Sequence, residues 1–160
     1  MIVCIDSMVI VWGIKKSPTT GQESMVEKAE YFFKWADQSG HEIIIPTVVL
    51  AEVLAPEPPS IREQYLQILD ESFLIRSFDT MAALKYAQIL HSRFEEVKNT
   101  AKEENVTRQR MKIDHIIIAT AIINKASCIY SYDVPLKKFA TGFIDVREFP
   151  APPLVQTPLF

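Results

Sequence analysis

The sequence lacks any apolar run long enough to cross a membrane, and its N-terminus has no basic region ahead of an apolar one. A membrane-spanning helix needs about 20 consecutive apolar residues, and a secretory signal begins with a basic stretch. The opening stretch, MIVCIDSMVIVW, is therefore better explained by a first buried strand than by a signal peptide. We expect a soluble, cytoplasmic protein with no membrane partner.

Cysteine is scarce, and the two that occur, Cys4 and Cys128, both lie in short apolar segments. Such positions suit buried, reduced thiols better than a structural disulfide, which is the alternative. A strong excess of one charge is also absent, since the net charge is −3 at pH 7. That value argues against a protein that coats nucleic acid by charge alone. It does not exclude a nuclease, because clustered acids can hold a metal ion that meets the phosphate.

Apolar residues, by contrast, make up 48% of the 160 residues, which is enough for the core of one domain. Between short apolar segments, other apolar residues recur at helical spacing. The segments predict strands at Ile2–Ile5, Glu42–Pro46, Phe73–Ser77, Cys128–Tyr130 and Phe143–Phe149. Strands that alternate with helices are typical of a parallel sheet covered on both faces. We therefore predict an α/β domain over residues 1–149, followed by a proline-rich tail over residues 150–160.

Helix starts are predicted from residues that can cap a helix. Ser24-x-x-Glu27 and Ser60-x-x-Glu63 have the capping-box pattern, and Asp79 or Thr80 can cap the helix after the third strand. Asp114 precedes the dense apolar run Ile116–Ile123, so it is predicted to stand at the start of a buried helix.

Four acids occupy comparable places in this pattern. Asp6 ends the first strand, and Glu52 lies early in the helix after the second strand. Asp114 begins a helix, and Asp133 follows a strand. In an open parallel sheet these positions share one edge, where ligands bind. Four carboxylates that converge there repel one another unless a cation neutralises them, and oxygen ligands suit Mg²⁺ or Mn²⁺. One or two such ions can activate water and stabilise the charge that develops on a phosphodiester.

Each acid also has an explanation without a metal. Asp114 could be only an N-cap, Asp133 a turn residue and Glu52 an exposed helix acid. Asp145, in the last strand, could approach the site or serve only solubility. The three histidines are better explained as surface or packing residues than as ligands: His41, His91 and His115.

Four short motifs, in this order and spacing, resemble those of PIN-domain ribonucleases, most closely the single-domain toxins of VapC type. They are Ile5-Asp6-Ser7, Ala51-Glu52-Val53, Asp114-x-x-Ile117-x-Ala119-x-Ala121 and Ser131-Tyr132-Asp133. The resemblance spans roughly residues 1–149.

The resemblance implies a PIN-like three-layer α/β/α fold. Its parallel sheet would have four or five strands in the order third, second, first, fourth, fifth, which would make Cys4 and Cys128 neighbours. The same resemblance implies an acidic site of Asp6, Glu52, Asp114 and Asp133 that holds Mg²⁺ or Mn²⁺. Ser7 and Ser131 match supporting hydroxyls beside these acids.

The function implied is cleavage of single-stranded RNA by a metal-activated water, which leaves a 5′-phosphate and a 3′-hydroxyl. The protein would be the toxin of a toxin–antitoxin pair, with a cognate antitoxin as partner. Two alternatives are a PIN-like module that binds RNA or protein without turnover, and a phosphatase with an aspartyl nucleophile. The phosphatase pattern requires a second Asp where this chain has Met8.

Two further expectations concern surfaces. Arg108, Arg110 and Lys112 precede Asp114 and could guide RNA, although an ordinary solvated stretch explains them equally well. Tyr31, Trp35 and Tyr65 are aromatic residues beyond a simple core stripe, and the tail adds apolar residues. Together with the resemblance, these features predict a homodimer.

Overall fold

The computed structural model describes residues 1–92 and 108–152, with only the backbone of residues 108–110. These ranges contain five strands: β1 (Ile2–Ile5), β2 (Glu42–Pro46), β3 (Leu74–Arg76), β4 (Cys128–Tyr130) and β5 (Asp145–Arg147). They also contain seven helices: α1 (Ser7–Gly13), α2 (Ser24–Gln38), α3 (Thr47–Leu54), α4 (Pro59–Ser72), α5 (Thr80–Ser92), α6 (Arg108–Ile123) and α7 (Val134–Ala140).

The strands form one all-parallel sheet in the order β3-β2-β1-β4-β5, as predicted. The central strand β1 pairs Cys4 with Ile44 of β2 on one side and with Ile129 of β4 on the other. Its residues from Val3 to Ile5 are fully buried, because helices cover both faces of the sheet. The architecture is the PIN-like three-layer α/β/α arrangement, and it confirms the predicted fold class.

The helices hold the sheet between two layers. Helix α1 packs against α2 and α3, whereas α6 packs against α5 and α7 and also contacts β2 and β4. The apolar run of α6 is core, since Ile117, Ile118 and Ala119 are buried. Glu52 is carried by α3, which contacts β2, and Asp114 is carried by α6, which contacts β2 and β4.

Two predicted capping boxes are wrong. Helix α2 begins at Ser24 itself, after Glu23, which makes no side-chain cap bond. Helix α4 begins at Pro59, a residue that suits a first helical position because its backbone has no N–H to leave unpaired. The cap predicted at Asp79 is present, since its Oδ1 accepts a hydrogen bond from the Ala82 N–H at 2.9 Å.

The predicted position of Asp114 at a helix start is also wrong. Helix α6 is already formed at Arg108, so Asp114 lies six residues inside it. The dense apolar run covers only the most buried part of α6. The helix also includes residues ahead of this run, such as Met111 and Ile113. Asp114 therefore does not cap α6.

Cys4 and Cys128 are buried, free thiols on the adjacent strands β1 and β4, as predicted. Burial raises the pKa of both thiols, so both stay protonated at neutral pH. Within the two described ranges, no helix has the length and hydropathy needed to span a bilayer. The predicted tail lies outside these ranges from residue 153 onward.

Candidate active site

Asp6 begins the candidate site at the carboxyl edge of the sheet, which is the edge where the parallel strands end. It follows β1 directly and forms the N-cap of α1, where its Oδ1 accepts a hydrogen bond from the Val9 N–H at 3.1 Å. Its side chain is only 5% exposed. Sequence reasoning missed this capping role, which fixes the carboxylate at the start of α1.

Ser131 joins Asp6 to Asp133. The Ser131 hydroxyl donates a short hydrogen bond to Asp6 Oδ2 and accepts one from the Asp133 N–H at 3.0 Å. Asp133 in turn caps α7, because its Oδ1 accepts a hydrogen bond from the Leu136 N–H at 3.1 Å. The structure therefore brings Asp6 together with Ser131 and Asp133, although Ser131 lies 125 residues further along the chain.

The electrostatics of this cluster raise the pKa of Asp6 from 3.8 to about 6. Burial is the main cause, because it removes water from the charged carboxylate, and the nearby negative charge of Asp133 adds to the rise. Hydrogen bonds from Ser131 and from the Val9 N–H act in the opposite direction. A carboxylate held close to a second one in a buried place is a feature that functional sites share with structural ion networks.

The other predicted acids lie on two helices that pack on the sheet. Asp114 is only 5% exposed within α6, whereas Glu52 is exposed on α3. Ser7 is half-buried at the first position of α1, next to Asp6. Asp145 lies elsewhere: it pairs with Cys128 at the start of β4, so it stands at the opposite edge of the sheet.

The predicted RNA-guiding residues are only partly described. Lys112 is exposed on α6, close in sequence to Asp114. The side chains of Arg108 and Arg110 lie outside the described part of the structure, although their backbone is helical. Their proposed contact with RNA stays a prediction.

Lys15 is a residue whose role the sequence did not reveal. Its side chain is only 8% exposed and forms an ion pair with Glu57. Its Nζ also donates a hydrogen bond to the Val53 carbonyl at 3.0 Å and lies 5.4 Å from the centroid of the Tyr65 ring. Val53 follows Glu52, so Lys15 fixes the end of the helix that carries this acid.

The donor atoms of the site suit a hard divalent cation, because they are carboxylate and hydroxyl oxygens. Asp6 and Asp133 interact directly as like charges, which a cation between them would relieve. In residues 1–92 and 108–152, no three His, Cys, Asp or Glu side chains lie close enough together to hold an ion as they stand. The residues thus fit Mg²⁺ or Mn²⁺ by chemistry and by position along one edge, without a closed ligand cluster.

The sequence matches no protein-family model and no curated protein. Solved structures do share the fold. The chain superposes with a TM-score of 0.64 and 15% identity on a chain of VapBC2 from Rickettsia felis, solved bound to a DNA fragment from their promoter; the match covers 94% of this chain and 100% of that one. For VapBC-1 from nontypeable Haemophilus influenzae, the TM-score is 0.60 at 14% identity, over 92% and 98% of the two chains.

A chain of a toxin-antitoxin complex from Klebsiella pneumoniae gives a TM-score of 0.57 at 14% identity, over 91% of this chain and 95% of that one. The similarity in each case runs through nearly the whole of both chains. At such low identity it demonstrates a shared fold.

Proposed function

We propose, from the fold that this chain shares with chains of VapBC complexes, that it is a PIN-type endoribonuclease and the toxin of a toxin–antitoxin pair. Its substrate is single-stranded RNA, and its cognate antitoxin is its protein partner. Cleavage depends on Mg²⁺ or Mn²⁺ and leaves a 5′-phosphate and a 3′-hydroxyl.

The observation that carries the proposal is the cluster of Asp6, Ser131 and Asp133 at the carboxyl edge of a PIN-like sheet. The Ser131 hydroxyl bonds both the Asp6 carboxylate and the Asp133 backbone N–H, so the spacing of the two acids is set by the sheet and by two helix caps. Such preorganisation is what a metal-dependent hydrolase requires of its acids.

Asp6 and Asp133 would hold the cation first, and Asp114 and Glu52 would supply further oxygens from α6 and α3. The bound ion supplies an activated water and stabilises charge on the phosphate. Ser131 keeps Asp6 oriented and favours its charged form, which is the form that binds a cation.

Purified full-length protein, with single-stranded RNA in large excess and Mg²⁺ or Mn²⁺ added, tests this function. We expect many turnovers per protein molecule, 5′-phosphate products, and loss of activity when a chelator is added. Asp6→Asn, Asp114→Asn and Asp133→Asn should each abolish cleavage and leave the fold intact. Asp145→Asn, which changes an exposed acid at the opposite edge, is the matched control.

Several results would contradict the proposal. Stoichiometric RNA binding without turnover would indicate a binding module instead. Full Mg²⁺-dependent activity in Asp114→Asn would remove that residue from the mechanism. For the toxin role, expression of the wild type should arrest growth, and expression of Asp6→Asn should not. Co-expression with the product of a small neighbouring gene should relieve the arrest.

A further inference from the structure

The segment that follows β3 lies at the same edge of the sheet as the acids. Cys4 pairs with Ile44, so by continuation of this register Asp6 stands level with Pro46. Pro46 pairs with Arg76, the last residue of β3. Neighbouring strands are about 4.8 Å apart, so Arg76 lies roughly 10 Å from Asp6 along the edge. The chain therefore places a cation level with the candidate catalytic acids, two strands away.

Phe78 comes two residues after Arg76, just beyond the end of β3 at this edge. Its side chain is 37% exposed, although an aromatic ring gains free energy from burial. Its neighbours Ser77 and Asp79 are exposed polar residues, so the ring stands in a polar rim.

The Phe78 ring is held in place by contact with another aromatic ring. Tyr86 contacts Phe78 edge to face, with ring centroids 5.9 Å apart and an interplanar angle of 83°. Tyr86 also contacts His115, the residue after Asp114, with centroids 6.3 Å apart. An edge-to-face contact engages either the edge or one face of Phe78, so Tyr86 leaves at least one face uncovered. The position of Phe78 is thus coupled through packed rings to the helix that carries Asp114.

We infer that Arg76 and Phe78 form a nucleotide-binding subsite for single-stranded RNA, beside the cleavage site. Arg76 binds a backbone phosphate, and a base one or two nucleotides from the scissile bond stacks on a face of the Phe78 ring that Tyr86 leaves uncovered. The inference deepens the proposed function and rests on it. It agrees with general features of single-strand binding, which combines cations along the backbone with aromatic side chains that stack on bases.

A protein partner could also cover an exposed phenylalanine. Met81 and Leu84 are exposed on the first turns of α5 and offer an apolar face of that kind. Phe78 differs from them because it shares the edge with Arg76 and with the acids. RNA is anionic, so it needs a cation near the carboxylates that it approaches. Arg76 supplies this cation at the position along the sheet edge that is level with Asp6.

Binding should be measured in the full-length Asp6→Asn background, which removes cleavage. The probe is a labelled single-stranded oligoadenylate of about 12 nucleotides, within the range of known single-strand site sizes, with Mg²⁺ present. Adding Phe78→Ala or Phe78→Leu should raise the Kd about 10-fold, because a base then has no ring to stack on. Phe78→Tyr should keep the Kd unchanged.

Phe143 is the matched control. It is 38% exposed, but it precedes β5 and so lies at the opposite edge of the sheet. Phe143→Ala should leave the Kd unchanged. Arg76→Gln should weaken binding and reduce its dependence on salt by about one phosphate contact. Thermal unfolding of each variant checks that the fold is retained.

A spectroscopic readout separates stacking from general electrostatic binding. Phe78→Trp places an indole at the subsite, and its emission should be quenched by oligoadenylate. A sugar–phosphate strand of the same length without bases should not quench it. Quenching by both strands would exclude stacking as its cause.

Each result bears on the inference separately from the function. Three results would overturn the subsite even if the wild type cleaves RNA. They are an unchanged Kd in Phe78→Ala, an equal loss of RNA affinity in Phe143→Ala, and no RNA binding by the Asp6→Asn background. An unchanged Kd together with loss of a protein partner would assign Phe78 to a protein contact. Conversely, a selective loss in Phe78→Ala supports the subsite even if the wild type shows no metal-dependent cleavage.

Discussion

Asp6 combines two roles that have opposite effects on stability. As the N-cap of α1 it satisfies the Val9 N–H, which favours folding. As a buried carboxylate near Asp133 it is costly to ionise, which disfavours folding at neutral pH. Residues with such a conflict are typical of functional sites, where activity and stability compete.

Asp6→Asn should therefore stabilise the protein at neutral pH. The pKa of Asp6 is raised from 3.8 to about 6 in the folded state, so the folded protein binds this proton more tightly than the unfolded chain does. Stability falls as pH rises from about 4 to about 6, and above that the penalty is on the order of 3 kcal/mol. Asn avoids the penalty and can still accept the Val9 N–H.

Denaturant unfolding with a chelator present measures this effect. The advantage of Asp6→Asn should be full above about pH 6 and should vanish below about pH 4. Asp145→Asn, an exposed control, should change little at either pH. A wild type that is as stable as Asp6→Asn at neutral pH would show that Asp6 carries no such penalty.

Ser131→Ala should impair activity through the protonation of Asp6. Removal of the hydroxyl takes away a hydrogen bond that lowers the pKa of Asp6, so this pKa rises further. The acidic limb of the pH–activity profile should move to higher pH. Near neutral pH the activity should fall about 10- to 100-fold, as is usual when a residue that orients a ligand is lost.

A pH–rate profile compares Ser131→Ala with two controls. Ser131→Thr keeps the hydroxyl and should restore most of the activity. Ser127→Ala changes an exposed serine ahead of β4, at the opposite edge, and should have no effect. A uniform loss at every pH in Ser131→Ala would indicate a purely structural role.

At the scale of elements, the short helices are fixed by individual polar contacts. Helix α3 follows β2 without a side-chain cap at its start, and its end is held by Lys15 from the loop after α1. That contact ties the helix of Glu52 to the helix that Asp6 caps. The relative position of two candidate ligands thus depends on one buried ammonium group.

Lys15→Met should destabilise the protein by about 2 kcal/mol, because it leaves the partly buried Glu57 carboxylate without its cation. Water screens part of this effect, because the Glu57 side chain is 19% exposed. The adjacent Lys16 is the matched control: it pairs with Glu30, but its side chain is 60% exposed. Lys16→Met should change stability by no more than about 0.5 kcal/mol.

Chemical denaturation of both variants measures the difference. The double variant Lys15→Met with Glu57→Gln should recover part of the loss, because no unpaired carboxylate then remains. Equal effects of Lys15→Met and Lys16→Met would mean that the buried ion pair contributes no more than a surface one.

At the scale of the whole molecule, the homodimer stays a prediction. Trp35, one of the aromatic residues that suggested it, packs against the core and His41. Leu66 and Ile68 of α4 are instead exposed apolar residues. Because closed two-fold contacts are the commonest way to cover such a face, we still expect a dimer.

Size-exclusion chromatography with light scattering tests the dimer on the full chain and on a variant that ends at Phe149. We expect a dimer for the full chain and a weaker one for the shortened chain, because the tail contributes apolar residues. A full chain that is monomeric at micromolar concentration contradicts the dimer. Equal association of both forms contradicts only the role of the tail.

The fold class follows from the amino-acid sequence, and local physics explains why. Continuous apolar segments such as Ile43-Ile44-Ile45 are typical of strands buried on both faces, and β2 has the predicted bounds. The neighbouring positions of Cys4 and Cys128, and the strand order, came from the family resemblance. Helix starts were less predictable, because Ser24 and Ser60 have the pattern of a cap without serving as one.

The assembly of the site, in contrast, depends on contacts between distant parts of the chain. Ser131 meets Asp6 across 125 residues because β4 pairs with β1, and no local pattern carries that information. The burial of Lys15 and the exposure of Phe78 depend on what packs above them, which is also non-local. Capping and strand propensity act within a few residues, whereas desolvation and charge proximity, which set the pKa of Asp6, arise only when distant segments are brought together.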